Sequence, residues 1–214
     1  MANNMQPLPA SLQAVLFDLD GTLLDSAAVH YDIYVQLFSE YGITFTRQQY
    51  LDAYSPDWII TYQILGLPMD SVSEANLRWL ELASGRVPAL FEGVPIMLDR
   101  LAANYRLGLV TSGTRSRVLR DLQVNGILNC FDVIITGDDV SASKPSPEGI
   151  LVGLHQLGVQ PERALYVGDT VVDFQAASAA GVNFAAVNGG HAPFPAGLSC
   201  TYLENISSLR QLLN

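Results

Sequence analysis

Five short, mainly apolar runs divide the chain, and each ends in polar residues or glycine. Ala14 to Phe17 runs into Asp18, Leu107 to Val110 into Thr111, Ser112 and Gly113, and Val133 to Ile135 into Thr136, Gly137 and Asp138. Ala164 to Val167 runs into Gly168 and Asp169, and Val182 to Val187 into Asn188, Gly189 and Gly190. Short apolar runs closed by turn formers predict strands buried on both faces. Between them, amphipathic patterns over about 94–104, 114–124, 147–157 and 172–180 predict helices, each followed by glycine or a turn. The alternation predicts an α/β fold, a Rossmann-like doubly wound parallel sheet with helices on both faces. Such sheets bind ligands at the carboxyl ends of their strands, where all these polar clusters fall.

From about residue 26 to residue 91 the alternation fails. Several helical patterns occur there and no buried strand. Thr46 with Gln49 and Ser71 with Glu74 have the spacing of capping boxes, Ser55-Pro56 reads as an N-cap followed by proline, and Gly42, Gly66 and Gly85 read as helix stops. The expectation is a core of residues 1–25 and 92–214, with a four-helix unit, 26–91, inserted after the first strand. Six of the nine tyrosines and both tryptophans, Trp58 and Trp79, lie in the insert. Helix packing accounts for most of them; lining a polar pocket is the alternative.

Composition narrows the function. The chain is 49% hydrophobic and 15% charged, which suits a packed globule rather than a disordered chain. A net charge of −10 opposes nucleic acid as a partner, because such binding rests on Lys and Arg neutralising phosphates. A small anionic substrate then needs local compensation, and Lys144 is the only lysine in the chain. Cys130 and Cys200 lack metal-ligand spacing and read as free thiols in a reducing compartment. Neither a signal-like start nor a run of ~18 apolar residues is present, so no membrane and a cytoplasmic location are expected.

The strand ends carry the candidate chemistry. Asp18-Leu19-Asp20-Gly21-Thr22 sets two carboxylates two residues apart directly after a strand. One is placed to act as nucleophile and the other to exchange a proton with a leaving group, although a solvated acidic turn has the same composition. Neighbouring carboxylates raise each other's proton affinity, so an ionised Asp18 calls for a divalent cation. Asp169 and Asp173, four residues apart, offer further oxygen ligands of the kind that suits magnesium, or form a helix N-cap with an acidic first turn. Thr111 and Ser112 offer hydroxyls and backbone amides for phosphate oxygens. Lys144 sits in Ser143-Lys144-Pro145-Ser146-Pro147, a stiff loop before a helix, where a solvated lysine is the ordinary reading.

Taken in order, these clusters resemble the haloacid dehalogenase superfamily. Asp18 to Thr22 is similar to its first motif, Thr111 to its second, Lys144-Pro145 to its third, and Gly168 to Asp173 to its fourth. The resemblance implies a magnesium-dependent phosphatase acting on a small phosphorylated metabolite through an aspartyl-phosphate intermediate. It implies a nucleophile at Asp18, a general acid/base at Asp20, and a metal site of Asp18, the Asp20 carbonyl and Asp169, with Asp173 at the metal as a ligand or through water. Thr111, Ser112 and Lys144 would hold the phosphoryl group. The helical insert resembles the cap of phosphoglycolate phosphatases, sugar-phosphate phosphatases and beta-phosphoglucomutase, acting as monomer or homodimer.

Asp20 argues against dehalogenation, which needs no proton donor. The absence of lysine from residues 26–91 argues against Schiff-base phosphonatase chemistry. His30 lies where the mutase has a cap-hinge histidine, so a mutase stays open, as does a silent phosphate-binding module; Thr22 and the lysine-free insert favour hydrolysis. Arg47, Arg78 and Arg86 are the insert's arginines, each either a solvated cation or a contact for a second anionic group on the substrate.

Overall fold

The structure, a computed structural model, describes residues 11–55, 58–189, 194–195, 198, 200–209 and 213. Pro56 and Gly190 lie outside the described residues. The core holds six parallel strands, β1 (Ala14–Phe17), β2 (Arg106–Val110), β3 (Val133–Ile135), β4 (Ala164–Gly168), β5 (Asn183–Val187) and β6 (Thr201–Leu203). Their spatial order is β3-β2-β1-β4-β5-β6, so the chain winds outward in both directions from β1. The carboxyl ends of β1, β2 and β4 therefore meet at the point where the winding reverses, which is where doubly wound sheets bind ligands.

Alternation along the strands sends side chains to two cores. Val15, Phe17, Leu109 and Val167 pack with Val94 and Leu98 of α5 (Val94–Ala102) and Val118 and Leu122 of α6 (Arg115–Val124). Ala14, Leu16, Ala164 and Tyr166 pack with Ile150 and Leu154 of α7 (Glu148–Leu157) and Ala176 and Ala177 of α8 (Val171–Ala180). Burial on both faces explains why these strands read as continuous apolar runs. β6 was not among the expected strands: Thr201, Tyr202 and Leu203 form a three-residue edge whose one exposed flank leaves no apolar run to detect.

Between β1 and α5 lie α1 (Ala27–Ser39), α2 (Arg47–Ala53), α3 (Trp58–Ile64) and α4 (Val72–Ser84). They share an aromatic cluster of their own around Tyr34, Phe38, Tyr50 and Tyr62. The expected capping box at Thr46 and Gln49 forms. The one at Ser71 and Glu74 does not: Ser71 ends a 3-10 turn, Met69–Ser71, and its own helical backbone (φ −91°, ψ −8°) carries the chain straight into α4. A side-chain cap requires an extended N-cap residue. The two connections between insert and core run side by side, with Leu24 bridged antiparallel to Leu90, the Asp25 amide donating to Ala89, and the Phe91 amide donating to Leu23.

Candidate active site

Asp18 follows β1 directly, and its amide still belongs to the sheet, donating to the Val167 carbonyl at 2.9 Å. Its side chain meets the loop before α7: Lys144 Nζ stands 2.6 Å from Asp18 Oδ1 and 2.5 Å from Asp173 Oδ1. Lys144 is 8% exposed, which removes the solvated reading. Burial alone would discharge this ammonium, but the Asp173 and Asp18 carboxylates outweigh it and hold the lysine protonated, its pKa well above the usual value. Asp18 shifts up as well. Burial is the main cause, Lys144 opposes it, and the Asp173 and Asp169 carboxylates add to it.

Asp18, Asp169 and Asp173 each bring a carboxylate oxygen within 4.8 Å of the others, and all three are buried. The residues fit a hard divalent cation. Three buried carboxylates, Asp18, Asp169 and Asp173, converge beside the Lys144 ammonium and offer the hard oxygen donors that such an ion takes. Glycine is needed at Gly189 to keep the cluster open, because a Cβ there would collide with Asp169 Oδ2 and the Gly21 carbonyl. Thr22 reaches Asp169 Oδ1 at 3.5 Å.

Of the two roles that its spacing left open, Asp173 fills the capping one. Its Oδ2 accepts from the Thr170 amide and hydroxyl in a capping box at the start of α8, while Oδ1 receives Lys144. Thr111 and Ser112 both line the same cavity. The expectation that their amides offer donors needs correction at Thr111, whose N–H is spent on the Ile135 carbonyl because β2 is still paired with β3 there. Thr111 Oγ1 accepts from the Gly113 amide at 3.3 Å, and Ser112 Oγ is buried with no partner among the described residues.

Asp20 belongs to a different cluster. Arg117 grips it with two hydrogen bonds, Nη2 to Oδ2 at 2.5 Å and Nη1 to Oδ1 at 3.2 Å, and His30 Nε2 lies 3.5 Å from Oδ1. Arg117 also reaches Asp121 Oδ2 at 3.3 Å and lies 5.9 Å over the Trp79 ring, whose edge-on neighbour is His30. Sequence reading missed Arg117, although one signal was available: two arginines in the first turn of α6, against the helix dipole.

The insert reaches the cavity through Tyr54, Trp58 and Trp79. Tyr54's phenol is pushed well above its usual pKa, first by burial and then by Asp169, Tyr50, Asp20 and Asp18. So the aromatics divide. Tyr31, Phe45 and Tyr50 pack the helices, whereas Tyr34, Tyr54, Trp58, Tyr62 and Trp79 pack in the same cluster and also line the cavity. None of the insert's arginines lines the cavity. Arg78 is chelated by Glu40 and Glu81, Arg86 donates to Gln36, and Arg47 sits over Tyr31.

Residues 15–187, which span β1 to β5 and every cluster just described, match the pattern of the haloacid dehalogenase-like hydrolases. The chain belongs to that family. It is 31% identical over 182 residues to the pyrophosphatase PpaX of Oceanobacillus iheyensis, with 83% of this chain and 84% of that protein aligned. It is 34% identical to a phosphoglycolate phosphatase of Xylella fastidiosa, over 79% of this chain and 77% of that one. In structure it resembles a putative phosphoglycolate phosphatase from Lactobacillus plantarum, with a TM-score of 0.84, 25% identity, and 94% and 99% of the two chains superposed. This haloacid dehalogenase-like hydrolase is an enzyme of the phosphatase type. Among the described residues no helix is long and apolar enough to cross a membrane.

Proposed function

We propose that the enzyme is a magnesium-dependent phosphatase that releases phosphate from a small phosphorylated metabolite through an aspartyl-phosphate intermediate on Asp18. The observation that carries this reading is Lys144 bridging Asp18 and Asp173 beside Asp169. It supports the reading of Asp18 as nucleophile, because a carboxylate, a fixed cation and further hard oxygen donors meet at one end of the sheet.

In the first half-reaction an Asp18 oxygen bonds to phosphorus as the bond to the leaving oxygen breaks, and Asp20 gives that oxygen its proton. In the second, Asp20 takes a proton from water as the water oxygen displaces Asp18, and inorganic phosphate leaves. Lys144 and the hydroxyls of Thr111 and Ser112 hold the phosphoryl oxygens in line with Asp18, which supplies much of what such a displacement needs. Magnesium would be held by Asp18, the Asp20 carbonyl and Asp169, and when bound it screens the charge of the transferring group. Both oxygens of Asp173 are already hydrogen-bonded, so its part is to position Lys144 and to reach the metal through water. Residues 1–25 and 92–214 serve as the catalytic core and 26–91 as a cap, with His30 at the contact between them.

Release of phosphate from p-nitrophenyl phosphate tests this reading, with magnesium and with excess chelator. Turnover should require the metal, and rapid quenching followed by peptide mass spectrometry should find a phosphoryl adduct on the peptide containing Asp18. Metal-independent turnover, or an adduct elsewhere, would overturn it. A screen of phosphorylated metabolites then names the substrate; pyrophosphate and phosphoglycolate head it because relatives are named for them.

A further inference from the structure

We propose that Arg117 is the receptor for a second anionic group on the substrate, a carboxylate or a second phosphate, which takes the place that the Asp20 carboxylate holds in the structure. The inference rests on the phosphatase reading above.

Among the described residues lining the cavity, Lys144 and Arg117 are the side chains with a fixed positive charge. Lys144 is committed to Asp18 and Asp173, on the side of the transferring phosphoryl group. Arg117 stands apart from it, between Asp20 and Trp79. A guanidinium that is 7% exposed and sits in the first turn of a helix opposes both desolvation and the helix dipole. Placements that break local rules in this way concentrate at functional sites. Room is made for it: a Cβ on Gly113 would collide with Arg117 Nη2.

The neighbouring groups complete an oxyanion pocket. Trp79 Nε1 and Thr114 Oγ1 are buried without a hydrogen-bond partner among the described residues, both residues line the cavity that Arg117 lines, and the guanidinium lies over the Trp79 ring. An indole N–H only donates, so burying it unpaired is unfavourable until an acceptor arrives. Guanidinium, indole N–H and hydroxyl together offer donors to one oxyanion. Asp20 already shows the geometry, since its carboxylate occupies the guanidinium with two parallel hydrogen bonds.

Exchange of partners then links recognition to chemistry. When the substrate's anion takes over the fork, Asp20 is released toward the leaving oxygen, while Asp121 remains as Arg117's second partner and keeps the guanidinium paired. A substrate without the second anion leaves Asp20 in its resting contact.

Two matched pairs of ligands at different spacing test this: 2-phosphoglycolate against 2-hydroxyethyl phosphate, and 3-phosphoglycerate against glycerol 3-phosphate. For at least one pair the wild-type enzyme should favour the carboxylate in kcat/KM by about 10- to 100-fold, the range of a charge-assisted hydrogen bond. Arg117→Gln should collapse that ratio toward one, through KM by loss of the receptor and through kcat because Asp20 is then free with either substrate, and Arg117→Lys should restore part of it. Gly113→Ala, which crowds the guanidinium without changing its charge, should reduce the ratio too, and covers the case in which Arg117→Gln fails to fold. The same ratio is read without turnover as dissociation constants, by calorimetry on Asp18→Asn protein. If no phosphoester is hydrolysed but this binding ratio depends on Arg117, the phosphatase reading fails and the anion receptor stands. A ratio near one in the wild type for both pairs, or one that survives Arg117→Gln, overturns the proposal.

Discussion

The phenol of Tyr166 accepts a hydrogen bond from Lys144 Nζ at 3.1 Å while donating its own proton to the Val110 carbonyl at 2.9 Å. Tyr166 is fully buried in β4, so it ties the lysine to the sheet rather than to the mobile part of any side chain. Tyr166→Phe removes this tie without changing the charge of the site. It should cost about 1 kcal/mol of stability, the usual net worth of one hydrogen bond, and lower kcat several-fold with little change in KM. Urea unfolding and steady-state kinetics on a generic phosphoester check both. An unchanged kcat would show that Asp18 and Asp173 alone fix Lys144.

Most of the sheet was legible because its strands are buried on both faces and so carry unbroken apolar runs. The strand ends were legible too: Asp18, Lys144, Asp169 and Asp173 stand out by type and spacing, and the fold brings them together. Arg117, Tyr166 and Gly113 were not. Their roles depend on contacts between residues as far as 97 apart, such as Arg117 with Asp20, which no local pattern encodes. Arg78 follows its ordinary reading: it is a part-exposed cation paired with Glu40 and away from the cavity.

Removing the charge of Asp18 should lower turnover by at least about 100-fold, since positioned catalytic groups contribute that much or more. The same residue sets a pH dependence. Its pKa is raised above the ordinary 3.8 by burial, so its contribution to stability is fully present below that pH and is lost as pH rises through the raised value. Magnesium competes with that proton. The rise in melting temperature produced by magnesium should be small at pH 4, grow toward pH 7, and lose much of this slope in Asp18→Asn. An equal magnesium effect at both pH values would count against Asp18 as a ligand.

Asp121 is fully buried and clamped from two sides, by Arg117 at 3.3 Å and by Arg120 at 2.6 Å. Burial raises its pKa, and the two guanidiniums only partly offset this. Asp121→Asn keeps the shape but sets an amide N–H₂ against a guanidinium, and removes one of the two carboxylates that face the buried Arg117. The expected loss is roughly 3 kcal/mol, the low end for a buried pair broken from one side. Chemical denaturation measures it; a loss under about 1 kcal/mol would mean that water screens the pair as at a surface.

The last prediction concerns the strap between insert and core. Leu23 to Asp25 and Ala89 to Phe91 run side by side, and Asn125, just past the end of α6, donates from Nδ2 to the Pro88 carbonyl at 3.1 Å and to the Asp121 carbonyl at 2.9 Å. One core side chain therefore pins the returning strand to the helix that carries Arg117. If the insert works as a cap, its motion bends these two connections, and the anchor at Asn125 sets how far the bend spreads. Asn125→Ala should speed hydrogen exchange at the amides of Asp25 and Phe91, whose acceptors lie across the strap, before it affects amides of β1. It should also change kcat and KM together, because the cap closes over substrate and opens for product, while leaving the magnesium requirement as in the wild type. Faster exchange spread evenly over strap and sheet would instead mark Asn125 as a general stability contact, and unchanged exchange with unchanged kinetics would take the hinge away from this strap.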